Sequence, residues 1–139
     1  MDDLIRKAEN YVAASNDHDI GRIRPMLAPE CCYCSAGVGR HDGVDAIMAM
    51  MGSFFAANPD VHWQAKNYQQ HSGHVVFDFV ITLGGNSSSG VEEIDFDRAG
   101  AISRIVVQRY SLLSAGFAKP VSADGHAAFA NVKLVGAPQ

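Results

Sequence analysis

No run of apolar residues in this sequence approaches the eighteen or so that a membrane-spanning helix needs, so no membrane partner is expected. The opening MDDLIRKAEN resembles no secretory signal. Positive charge is also in short supply. With 11 Lys and Arg against 15 Asp and Glu the formal charge is -4, whereas a nucleic-acid binder needs clustered basic side chains to displace counterions from phosphates. Nucleic acid is therefore not an expected partner. Cysteine is limited to Cys31, Cys32 and Cys34, an odd number in one short stretch that cannot build a disulfide framework, and a reducing, cytoplasmic setting is expected. CCxC lacks paired CxxC spacing and an adjacent histidine, and a strand there would send its thiols to two faces. The six histidines are scattered without HxH or HxxxH spacing, so no metal is expected. GVGR and LGGN lack the spacing of a phosphate cradle before a helix, and no cofactor is expected.

What is present describes an ordinary folded domain. A chain of 139 residues, 47% hydrophobic and 19% charged, is long enough to bury roughly 70% of the surface that it exposes when unfolded. Residues 3 to 16 set Leu4, Ile5, Ala8, Tyr11 and Val12 on one helical stripe. A second helix, with Asp19 as a cap, buries Ile20, Ile23, Met26 and Leu27 and is expected to be short or bent at Pro25. CCYCS (31 to 35) reads as a short strand and GVGRHDG as a loop. Asp42 and Asp45 approximate a capping box for a third helix carrying Ile47, Met48, Met51, Phe54 and Phe55. From residue 61 the period changes to two, in the runs VHWQAKNYQ, HVVFDFVITL, GVEEIDFD and AISRIVVQRYSLL, joined by short glycine-containing turns. The expected class is α+β, three N-terminal helices on one face of a strongly curved, mainly antiparallel sheet. Residues 1–113 form the domain and 114–139 a tail, in which AFANVKLV could add one strand.

Alternation in HVVFDFVITL places Val75, Phe77, Phe79 and Ile81 on one face and Val76, Asp78, Val80 and Thr82 on the other. Helices cover only one face of such a sheet. The expectation is that a second copy of the chain covers the Val75, Phe77, Phe79 and Ile81 face in a homodimer, and that Asp78 points toward the helices. There an ionised carboxylate needs a partner or a polar cavity. In GVEEIDFD, Glu92 shares a face with Ile94 and Phe96, and Glu93 with Asp95 and Asp97, which favours Glu92 inward.

The order of elements, with YVAASNDHDIGRIRPMLAPE, GRHDGVDAIMAMM and GVEEIDFDRAGAISRIVVQRY, resembles the SnoaL-like polyketide cyclase and ketosteroid isomerase-like branch of the nuclear transport factor 2-like superfamily over about residues 3 to 111. The resemblance implies a cone-shaped α+β barrel around a deep, mostly apolar pocket, with dimers through the outer sheet face. By the steroid isomerase pattern, Tyr11 falls at the helical tyrosine and Glu92 at the acid that, kept neutral, donates to an oxyanion. Ser35 falls at the general base, and a hydroxyl cannot replace a carboxylate there. By the limonene epoxide hydrolase pattern, the three polar positions hold Val80, Thr82 and Tyr110, so that site is absent too.

The expected function is binding of a small, largely apolar or amphipathic molecule in the cone pocket, with cofactor-independent isomerase, cyclase or hydratase chemistry. Asp78, Glu92 and Tyr11 are the candidate catalytic residues, and Tyr33, Ser35, Trp63, Val80, Phe96, Gln108 and Tyr110 the candidate pocket lining. The alternative is a noncatalytic ligand-binding or dimeric assembly domain, in which Asp78 only pairs structurally and Tyr11 and Trp63 only pack.

Overall fold

Helix α1 (Leu4–Asn16) begins where the Asp3 side chain accepts from the Arg6 amide at 3.0 Å, and it buries Leu4, Ala8, Tyr11, Ala14 and Ser15 along one stripe. Asp19 caps α2 (Ile20–Ile23) in the same way. Pro25 ends it after four residues, because proline offers no amide to the next turn, and the chain passes through a 3-10 turn (Arg24–Met26). The structure, a computed structural model, describes the backbone of residues 3–112 and 118–120 and the side chains through residue 108. The proposed strand AFANVKLV lies outside the described residues.

Strand β1 (Leu27–Ser35) is longer than CCYCS alone, and part of the expected loop forms β2 (Gly39–Asp42), antiparallel to it. Asp42 therefore does not cap α3 (Val44–Ala57). It pairs with Arg40 along β2, and Gly43, at φ +91, provides the uncapped entry to the helix. Four long strands follow: β3 (His62–His71), β4 (His74–Leu83), β5 (Asn86–Phe96) and β6 (Ile102–Leu112). A short β7 (Ala118–Pro120) pairs with β6. The sheet order is β2-β1-β6-β5-β4-β3, with β1 parallel to β6 and every other pair antiparallel. The chain is thus α+β, with three helices on a curved sheet.

The sheet meets its helices through the face opposite to the one expected. Val75, Phe77, Phe79 and Ile81 are all buried and share one core with Leu4, Ala8 and Tyr11 of α1 and Ile47, Met51 and Phe55 of α3. They cannot offer a surface to a second copy. The burial that called for one is supplied by the chain's own helices, which take the face with the larger apolar side chains. Asp78 accordingly lies on the convex side, only partly buried, and accepts from the Asn67 side-chain Nδ2 at 2.8 Å.

Candidate functional site

Register decides which carboxylate enters the core. Glu92 on β5 lies opposite Phe77 on β4 and Val107 on β6, and residues directly opposite in a sheet share a face. Its side chain therefore points among the helices, with 5% of the residue exposed. Glu93 points outward to His74 and Gln108. Among the described residues, none hydrogen-bonds the Glu92 carboxyl. Burial alone pushes that carboxyl up to about 8, so at neutral pH it holds its proton and is a hydrogen-bond donor.

Around it stand three phenols. Tyr11, brought in by the buried stripe of α1, is held well above the usual phenol range by burial first, then by Glu92, Tyr33 and Cys31, while a hydrogen bond with Ser15 works in the opposite sense. Tyr33 enters from β1. Tyr68, whose ring packs on Phe77 at 4.7 Å, is pushed up to about 12 by burial, then by Glu9 and Glu92.

Glu92, Tyr11 and Tyr33 border a cavity of about 50 Å3 between α1, α3 and the concave sheet. Its wall is mostly apolar, including Val12, Met50, Met51, Phe54 and Phe55, and holds no Lys, Arg or His among the described residues. Trp63 closes one side, with ring centroids 6.2 Å from Phe54 and 6.3 Å from Phe55. The Asn16 side chain fixes that strand to the end of α1, accepting from the Trp63 amide at 2.7 Å and donating to its carbonyl at 2.9 Å. His18 stacks on Phe55 at 4.5 Å and contacts the Val61 carbonyl oxygen at 3.0 Å through Nε2.

Tyr11, Glu92, Tyr33, Ser35 and Trp63 thus line one cavity. The remaining candidates do not join them. Asp78, Val80 and Gln108 lie on the convex face, because Asp78 pairs with Val91 and Val91 with Gln108, one register step away from Glu92, while Val80 pairs with Ser89. Asp78 and Glu92 therefore form no carboxyl pair. Phe96 lies beyond a register irregularity between Asp95 and Phe96, at a separate recess with Lys7, Met26 and Gly100. The Tyr110 backbone pairs with Ser89, and its side chain lies outside those described. Sequence reasoning missed Ser15, Val38, Met50, Phe77, Ile81 and Val107 as lining residues. Phe77, Ile81 and Val107 were discoverable, since each faces, or lies two residues from one that faces, Glu92 or Trp63 across a strand.

A family model, the SnoaL-like domain, matches residues 8–105 of the chain. Solved structures agree in fold. A cystatin-fold protein from Novosphingobium aromaticivorans superposes with a TM-score of 0.69 at 19% identity, covering 77% of this chain and 98% of that one. A proposed polyketide cyclase from Sinorhizobium meliloti gives 0.67 at 17% identity, covering 78% and 95%. A Mycobacterium tuberculosis protein in complex with estradiol-17β-hemisuccinate gives 0.65 at 17% identity, covering 75% and 91%. No curated protein sequence matches the chain. At these identities the solved structures show shared architecture and nothing about activity.

Proposed function

The chain belongs to the SnoaL-like domain family, and we propose that its cavity binds a small, largely apolar molecule through a carbonyl or hydroxyl oxygen that accepts from neutral Glu92. The observation carrying this reading is a carboxyl buried to 5% exposure in an apolar wall, with no hydrogen-bond partner among the described residues. A buried polar group without a partner costs about 1–3 kcal/mol, which a bound acceptor recovers. The cavity holds only a compact molecule as it stands, and the unbranched side chains of Met50 and Met51 can yield to a larger one. The steroid ester bound by the M. tuberculosis protein supports the apolar ligand class.

A carboxyl that titrates near 8 gives and takes a proton close to neutrality. This supports cofactor-independent isomerase or cyclase chemistry with Glu92 as the acid/base group and Tyr11 and Tyr33 as hydroxyl groups beside the oxygen. A noncatalytic binder is the second reading. It is favoured by Ser35 standing where a base would be needed and by Asp78 lying outside, so that the cavity has one carboxyl rather than two. The homodimer expected from the sequence is proposed on the convex face, where Val76, Val80 and Val91 lie partly buried. A reducing compartment is proposed from the three free thiols.

Small neutral ketones and phenols, screened by thermal shift and by fluorescence of Trp63, the one tryptophan, test the binding. Stabilisation should be present at pH 6 and fade as pH rises through about 8, where Glu92 ionises. Glu92→Gln keeps a donor and should bind without that pH dependence; Glu92→Leu should not bind. Equal binding by Glu92→Leu would overturn the proposal. Exchange of α-protons of a bound ketone with solvent deuterium separates the two readings: exchange by wild type, lost in Glu92→Gln, supports proton transfer, and binding without exchange supports the noncatalytic reading.

A further inference from the structure

The alternation of β1 sends Cys31, Tyr33 and Ser35 into the core and Cys32 and Cys34 onto the convex face. On that face the Sγ atoms of Cys32 and Cys34 lie 3.9 Å apart, in van der Waals contact. Cys31 is turned away from both and is fully buried. Arg40 and Asp42 of β2 lie directly across from Cys34 and Cys32. Neither thiol has a place in the ligand cavity, yet Tyr33, the residue between them, lines it from the other side of the strand.

We propose that Cys32 and Cys34 form a reversible redox dithiol, closed to an intramolecular disulfide by a peroxide. Two residues apart on a strand, their Cα atoms are separated by roughly 6.6 Å, near the upper end of the roughly 4.4–6.8 Å that a disulfide spans. The Cβ atoms of such a pair lie about as far apart as the Cα atoms, beyond the roughly 3.5–4.5 Å between the Cβ atoms of a disulfide, so closing the bridge requires the β1 backbone to buckle at Tyr33 and leaves the bond under strain. Bridges under strain are the more easily reduced ones, so this one acts as a switch and not as a structural staple. It forms directly behind one wall of the cavity.

Cys32 is half-buried while Cys34 is buried, which sets the order of steps. The Cys32 thiolate attacks one peroxide oxygen; the O–O bond breaks, and the departing hydroxide takes up the proton that Cys32 lost, leaving as water. Cys32 is now a sulfenic acid. The Cys34 sulfur attacks it, the S–S bond forms, the S–O bond breaks, and the second water carries off the Cys34 proton. Two thiols have lost two electrons and two protons, and hydrogen peroxide has become two waters. The Cys32 thiol is pushed up to about 12 by burial first and by its hydrogen bond to Asp42 next, so the thiolate is scarce at neutral pH and the first step is slow.

The test is prolonged exposure of the full chain to excess hydrogen peroxide, followed by alkylation and intact mass. Wild type and Cys31→Ser should each lose two hydrogens and regain them with dithiothreitol. Cys34→Ser should instead gain one oxygen, trapped by dimedone at Cys32. Cys32→Ser, altered at a half-buried strand position, is the second variant and should show no two-hydrogen loss. Wild type retaining three alkylatable thiols, a bridge between two chains, or a two-hydrogen loss persisting in Cys32→Ser or Cys34→Ser would each overturn the proposal.

Discussion

In the unfolded chain Glu92 ionises near the ordinary glutamate value of 4.5, whereas burial on β5 holds the folded carboxyl to about 8. Below both values the group is neutral in either state and favours neither. As pH climbs from about 4.5 to about 8 the unfolded state releases the proton first, so stability falls across this window and levels off above it. At about 1.4 kcal/mol per pH unit the full loss is on the order of 5 kcal/mol. Glu92→Gln keeps the shape and removes the titration. It is expected to flatten that part of the pH profile and to raise stability at pH 8 by more than at pH 5, measured by urea unfolding at both. An equal change at both pH values would mean that Glu92 does not carry the ionisation cost. The inward direction of Glu92 was legible because Ile94 and Phe96 share its face while acids share the face of Glu93. Asp78 was misread because alternation separates two faces without saying which one the helices take. Comparing the side chains would have decided it: two Phe, Ile and Val against two Val, Thr and Asp.

At the scale of elements, β3 shows what periodicity hides. Its pairing with β4 shifts between Lys66 and Gln69, so that Asn67 and Tyr68 together oppose Phe77. This bulge splits them: Asn67, at φ +60, donates to Asp78 on the convex side, and Tyr68 packs on Phe77 inside. The extra residue thus gives the convex carboxylate a partner and adds a phenol to the surroundings of Glu92. The run VHWQAKNYQ marked the strand but not the bulge, because one inserted residue in a polar stretch leaves too little pattern to detect. Similarly β2 was taken for a loop, since four residues of GRHD carry no apolar alternation. The left-handed backbone at Asn67 yields a test: Asn67→Gly, which tolerates it, should lose little beyond the hydrogen bond to Asp78, whereas Asn67→Val should cost a further ~1–2 kcal/mol. Chemical denaturation of the two variants compares them. Equal stability would place the bulge elsewhere.

At the scale of the whole molecule, the α+β order was legible from the change of period at residue 61. Which side of the sheet becomes the inside was not, because that depends on how three separate helices share their apolar stripes with one strand. The two assignments differ in a measurable way. With Phe77 buried to 2% inside a single chain, its truncation removes contacts made within one folding unit. With Phe77 buried between two chains, the loss would be linked to association and would depend on protein concentration. Phe77→Ala is therefore expected to lose about 3–5 kcal/mol, the range for truncating a core phenylalanine. That loss should be the same at protein concentrations roughly a hundredfold apart, since Phe77 makes its contacts inside one chain and none across the proposed convex-face dimer. Denaturant unfolding of wild type and variant at both concentrations supplies the comparison. A loss that shifts with concentration would return Phe77 to an interface, and with it would move Glu92, its cross-strand neighbour, out of the enclosed cavity on which the proposed ligand binding depends.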